Sequence, residues 1–203
     1  MTMQLVLAST SPRRAELLRQ LGLRFVVAAP HPDAEPRLPE RCSLTKVRAA
    51  VPLVALAKAR DVAAGLRGTQ SFIVGSDTTV HWKGHVLGKP DSAEQAIRYL
   101  SSLSGQMHRV FTACALIDAR DGGESTHLAE TQVYFRRLSR SVIERYVATG
   151  EPLDKAGSYG MQGLGGLLVE KIQGRSDTVV GLSTAGLEAL LEPLHLSCYD
   201  FRE

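Results

Sequence analysis

Cysteine is scarce and badly placed for cross-linking: Cys42, Cys114 and Cys198 are odd in number, far apart and form no CxxC pair. That excludes a disulfide framework and the common structural zinc sites, and it predicts reduced thiols in a cytoplasmic protein. No run approaches the ~18 apolar residues of a membrane span, so no membrane partner is expected. The opening "MQLVLAS" is shorter than a signal-peptide core and meets arginines almost at once, so no targeting segment is read there. Cationic blocks are missing too. Lys and Arg number 24 against 21 Asp and Glu, and the net charge of +3 suits an anionic ligand rather than a nucleic-acid arm. GxGxxG, GxxxxGK[ST] and GxSxG do not occur, so dinucleotide folds, P-loops and serine hydrolases gain no support. Repeats and low-complexity tracts are absent as well.

What is present is a core. With 203 residues, 44% hydrophobic and 22% charged, the chain can form one or two compact units. Residues 4–9 read as a buried strand and 12–21 as a helix, with Ser11 at its N-cap, Pro12 at its first position and Gly22 ending it. A strand at 24–29 leads into the proline-rich "PHPDAEPRLPER". Residues 43–66 have helical composition, and Pro52 should kink or divide them. A β-branched strand at 71–82 turns at Lys83-Gly84, and a helix at 92–104 starts on Ser92 and stops at Gly105. Strands at 109–119 and 124–138 flank "RDGGE". A helix at 139–149, a glycine-rich stretch at 157–166, a strand at 166–172 and a helix near 183–191 complete the pattern. This mixture predicts an α/β or α+β fold around a mixed sheet, one unit over 1–203 with a second lobe at 105–150.

Three stretches carry candidate chemistry. In "LASTSPRRAELL", Arg13 and Arg14 put two cations at the end of a helix that already carries partial positive charge, at a cost of roughly 0.3–1 kcal/mol each. A bound phosphate would explain them, gripped by the helix N–H groups, the arginines and the hydroxyls of Ser9, Thr10 and Ser11. Otherwise both point into water. In "VGSDTTVHWKGHVLGKP", Asp77 ends an apolar run, where a carboxylate can hold a hard cation or take a proton from water, and Lys89 can meet phosphate. The plainer alternative is a strand-end Asp bonded to its own turn. In "EPLDKAGSYGMQGLGG", five glycines within 157–166 imply a backbone bent closely around something, or a tight surface loop, and the Gln162 amide suits a base edge. Lys58 lies in the 43–66 helix, and His81 and His85 lack a third metal ligand.

In this order and spacing, "LASTSPRRAELL", "LAKA", "GSDTTV" with "GKP", "LSGQMHRVFT", "EPLDKAGSYGMQGLGG" and "VVGL" resemble the Maf, or septum-formation inhibitor, family from about residue 4 to 192. The resemblance implies a bilobed Maf/ITPase-like fold with a cleft, a homodimer, and hydrolysis of nucleoside triphosphates to monophosphate and pyrophosphate with Mg²⁺ or Mn²⁺. It implies Asp77 as proton acceptor and metal contact, with Ser9, Arg13, Arg14, Lys58 and Lys89 on the triphosphate. Arg13, Thr78 and Gln162 match the dTTP- and UTP-selective branch, whereas the 7-methyl-GTP branch resembles "SPWR", "SDQ" and "SEG". Two departures stand out. The family's Asp-Glu pair is interrupted here by Ala34, which leaves Asp33 or Glu35 for the glutamate's metal role, and "VVGLP" is "VVGLS", where Ser183 suits an N-cap. Rival readings are a purine or modified-nucleotide pyrophosphatase and a nucleotide- or nucleic-acid-binding regulator of division.

Overall fold

The computed structural model describes residues 3–34, 36 and 38–202. Its strands are β1 (Gln4–Ala8), β2 (Phe25–Ala28), β3 (Ser71–Trp82), β4 (His85–Leu87), β5 (Met107–Asp118), β6 (Gly123–Phe135) and β7 (Val169–Gln173). The helices are α1 (Pro12–Gln20), α2 (Leu44–Ala63), α3 (Ala93–Leu103), α4 (Arg140–Ala148), α5 (Ser176–Val180) and α6 (Thr184–Leu191). The strands form one mixed sheet of order β2-β1-β3-β5-β6-β7, with β4 paired to β3. β1 runs parallel to β2 and β3, and the remaining pairs are antiparallel. The α/β mixed sheet expected from the sequence is therefore present.

Period-two alternation sorts the core onto the two faces of the sheet. Val6, Ile73, Ala113 and Ala115 join Val47, Val51, Ala55 and Ala59 of α2 in one cluster. Leu5, Leu7, Phe72 and Leu116 join Leu18 of α1 and Leu187 and Leu191 of α6 in another. A third cluster unites Leu100 and Leu103 of α3, Ile143 and Val147 of α4, and Val80, Val110 and Val133. β5 contributes to all three clusters.

Local signals place most boundaries. Ser43, Ser92, Ser139 and Ser183 each accept an N–H of the first helical turn, as N-caps do. Ser183 thus has the structural role expected where the family pattern has proline. Lys83 and Gly84 both take positive φ, as a tight hairpin turn requires. Pro52 does not divide α2, which runs unbroken from 44 to 63. Its missing N–H frees a carbonyl on the exposed side, while the stripe of Val47, Val51, Ala55 and Ala59 is fully buried. Burying that stripe outweighs a proline cost of about 3 kcal/mol. The strand expected at 166–172 is shorter, because Gly163–Leu168 forms a 3₁₀ turn before β7 begins. All three cysteines are unbridged, and burial pushes the thiols of Cys114 and Cys198 up to about 12. No helix among the described residues is long and apolar enough to cross a membrane.

One close approach positions the site. A Cβ at Gly75 of β3 would lie 2.2 Å from the Ala55 carbonyl oxygen and 3.1 Å from the Ala59 nitrogen. Only a glycine lets α2 sit this close, and Lys58 lies on the same turn. Gly75→Ala should destabilise the protein by about 2–3 kcal/mol through overpacking, read as a lower urea midpoint at unchanged m-value.

Candidate active site

β3 is longer than β1 beside it, and the site occupies the mismatch. Residues 71–75 of β3 pair with β1 and 80–82 pair with β4 on the same edge. Residues 76–79 lie between those pairings, just past the carboxyl end of β1, where open α/β sheets receive ligands. Ser9, Arg13, Arg14, Lys58, Asp77, Thr78, Lys89 and Gln162 all line one cavity of about 270 Å³ at this place. The sequence-predicted residues thus converge, with one exception. Glu35 lies outside the described residues.

Asp77 receives Lys58 from α2, Nζ to Oδ1 at 2.8 Å, with the two side chains only 7% and 9% exposed. Its Oδ2 takes a long contact of 3.4 Å from the Thr79 hydroxyl. Taking two such charges out of water costs several kcal/mol each, which their close mutual attraction offsets.

The arginines at the start of α1 turn onto the cavity wall. Arg14 donates Nε to the Gly181 carbonyl at 2.8 Å and Nη1 to Ser9 Oγ at 3.0 Å, and Nη2 reaches Thr78 Oγ1 at 3.4 Å. Arg13 Nη1 donates to Asp154 Oδ2 at 3.0 Å. Ser11 stands at the N-cap position, but its side chain makes no cap bond. Ser9 Oγ instead accepts the Ser11 N–H at 3.1 Å. Burial pushes the Asp154 carboxyl up, yet bonds from Lys155 and Arg13 outweigh that and hold it below the usual range.

Hydroxyl protons can be followed across β3 and β5. Thr112 Oγ1 donates to the Thr178 carbonyl at 2.6 Å, which uses its single proton. At the 2.9 Å contact between the two threonines, Thr78 must therefore be the donor. Facing the cavity, Thr78 Oγ1 is left as an acceptor.

Several lining residues escaped the sequence reading: Asp154 and Lys155, the Gly181 carbonyl, and Tyr159 as a wall. The adjacent charges of "LDKAG" were a readable signal for the first two. Thr112 gave none, because only the β3–β5 register brings it to Thr78. Behind the wall, His108 Nε2 bonds Tyr159 Oη at 2.7 Å, and both rings meet Phe135 edge to face.

The family model described as Maf-like protein matches residues 4–194. The chain belongs to the Maf family. Its relatives include proteins named dTTP/UTP pyrophosphatase. One from Moorella thermoacetica is 50% identical over 190 residues, covering 93% of each chain. One from Thermococcus onnurineus is 46% identical, covering 87% of this chain and 90% of its own. One from Dictyoglomus thermophilum is 39% identical, covering 97% and 99%. In this Maf protein the stretches around Asp77, Arg13 and Gln162, far apart in the chain, line one cavity.

Burial pushes His108 down to about 3. The unfolded chain titrates it near 6.5. Between those values the unfolded state binds a proton that the folded state does not, so stability falls as pH drops through this window, by up to about 1.4 kcal/mol per pH unit. His108→Gln should show a flatter loss than the parent between about pH 6.5 and 4, measured by urea unfolding across that range.

Proposed function

We propose that this chain hydrolyses dTTP and UTP to the nucleoside monophosphate and pyrophosphate. The observation that carries this reading is the convergence on one cavity of a buried carboxylate–lysine pair, two helix-start arginines, Lys89 and a rim glutamine. The names of the relatives support it. In this reading Arg13, Arg14, Lys58, Lys89 and Ser9 take the triphosphate, displacing Asp154 from Arg13. Oδ2 of Asp77 orients the attacking water and takes its proton, while Oδ1 stays with Lys58. Attack falls on the α-phosphorus, and pyrophosphate leaves with its charge balanced by the cationic wall.

Asp77 offers a hard carboxylate oxygen at the cavity, a donor that suits a divalent metal, and among the described residues no group of three His, Cys, Asp or Glu side chains gathers there or elsewhere. Magnesium suits one or two carboxylates together with substrate phosphates and retained waters. Asp77 would hold it, with Glu35 or Asp33 as the second carboxylate, and when bound it supplies neutralisation of phosphate charge.

Thr78 and Gln162 read the base. Uracil and thymine present an N3–H donor between two carbonyl acceptors. An acceptor-only Thr78 and a carboxamide at Gln162 complement that edge, and cytosine inverts part of it. Arg13 fixes the substrate's orientation. The protein acts as one domain and as a homodimer, in the cytoplasm where nucleoside triphosphates are made, with no nucleic-acid partner.

The test is a product assay over dTTP, UTP, CTP, GTP, 7-methyl-GTP and dITP with Mg²⁺ or Mn²⁺, separating pyrophosphate from orthophosphate. Pyrophosphate from dTTP and UTP first is the expected result. Asp77→Asn should lower kcat by about 10²–10⁴-fold. Turnover led by a purine would overturn the base reading, and near-parental turnover in Asp77→Asn the mechanism.

A further inference from the structure

The glycine-rich stretch has a physical centre, and it is a carboxylate. Glu151 Oε1 accepts the Gly165 N–H at 3.0 Å and the Tyr146 hydroxyl at 3.0 Å, and Oε2 accepts the Leu164 N–H at 3.1 Å. The Tyr146 hydroxyl in turn takes a long bond of 3.4 Å from the Gly160 N–H. Space is measured to these two side chains. Gly163 has φ of +76°, and a Cβ there would lie 3.0 Å from Glu151 Oε2. A Cβ at Gly165 would lie 2.5 Å from the Tyr146 hydroxyl oxygen and 2.4 Å from the Gly160 carbonyl.

Leu164 and Gly165 are the second and third residues of the 3₁₀ turn Gly163–Leu168, whose leading amides have no partner within the turn. The residue before such a turn is the usual source of a side-chain cap. Here that residue is Gln162, and it makes no cap bond. Glu151 takes both amides instead. The consequence is twofold: the backbone on either side of Gln162 is fixed, and its carboxamide is released from capping at the rim of the cavity.

The geometry points to Glu151 as a positioning residue for nucleobase discrimination, acting through Gln162. This rests on the reading of Gln162 as a base contact. A group that recognises a ring edge discriminates only as well as its own orientation is held. Glu151→Gln keeps the size of the side chain but replaces one acceptor oxygen by an NH₂ that faces N–H donors, so the two amides can no longer both be held.

A double-mutant cycle decides the matter. kcat/KM for UTP and for CTP is measured in the parent, Glu151→Gln, Gln162→Ala and the double variant. Glu151→Gln is expected to lower the UTP-over-CTP preference about tenfold, with the loss falling on KM for UTP rather than on kcat. In the Gln162→Ala background the same substitution is expected to remove no further preference. A preference unchanged in Glu151→Gln while Gln162→Ala erodes it overturns the role of Glu151 alone, as do losses that simply add in the double variant. A preference intact in Gln162→Ala overturns the base reading and this inference with it. Should Glu151→Gln fail to fold, Glu151→Asp keeps the charge, falls short of the two amides, and is expected to lose preference in the same way. A parental ratio in a folded Glu151→Asp protein overturns the inference.

Discussion

The contact between β3 and α2 at Gly75 is the constraint on which the site depends. With no side chain between Gly75 and the backbone of Ala55 and Ala59, the helix lies directly on the strand. Two residues further along β3 is Asp77, and on the same turn of α2 is Lys58. A normal helix–sheet spacing would leave a carboxylate and an ammonium half-buried and apart, each paying for lost hydration. Here they meet at 2.8 Å, so each offsets the other's desolvation. The longer β3 then matters: because β1 stops beside Gly75, the stretch of β3 that carries Asp77 pairs with β5 on one edge and leaves the other edge open at the cavity.

The positive start of α1 is made tolerable by groups drawn from distant parts of the chain. Asp154 meets Arg13, while the Gly181 carbonyl and the hydroxyls of Ser9 and Thr78 surround Arg14. These partners differ in kind. The Gly181 carbonyl and the two hydroxyls are neutral dipoles, and they fix the orientation of the Arg14 guanidinium toward the cavity. Asp154 does cancel charge, but its side chain is 61% exposed and its ion pair is correspondingly weak. Arg14 is therefore preset and Arg13 is exchangeable, the combination that suits a site where a phosphate must bind and a product must leave.

Legibility in the sequence followed the range of the interaction. Apolar alternation, serine caps and the Lys83-Gly84 turn are local, and they placed nearly every element. Pro52 misled because its local cost is real but smaller than the burial of a helix stripe that only the tertiary fold supplies. The cavity residues were found because they sit beside recognisable breaks: Arg13 and Arg14 after a cap, Asp77 within a β-branched run, Gln162 among glycines. Thr112 and His108 sit inside apolar strands, and nothing local sets them apart. Their partners, Thr78 and Tyr159, are fixed by strand register and by chain return. The glycines advertised a tight bend, but its centre, Glu151, is an ordinary acidic residue in sequence.

These facts imply a division of labour within one cavity. Asp77 and Lys58 stand on a strand and a helix that pack directly on each other in the core. Gln162 is itself exposed and belongs to none of the three apolar clusters, although the turn it precedes is held by Glu151 and by Tyr146, whose ring is part of the third cluster. Replacing the exposed Gln162 side chain alters no cluster contact, whereas moving Asp77 requires β3 and α2 to separate. A fold arranged this way can vary what its rim recognises while leaving the reacting end in place. On the function proposed above, base preference is the property this arrangement leaves most open to change, and the attack on phosphorus the least.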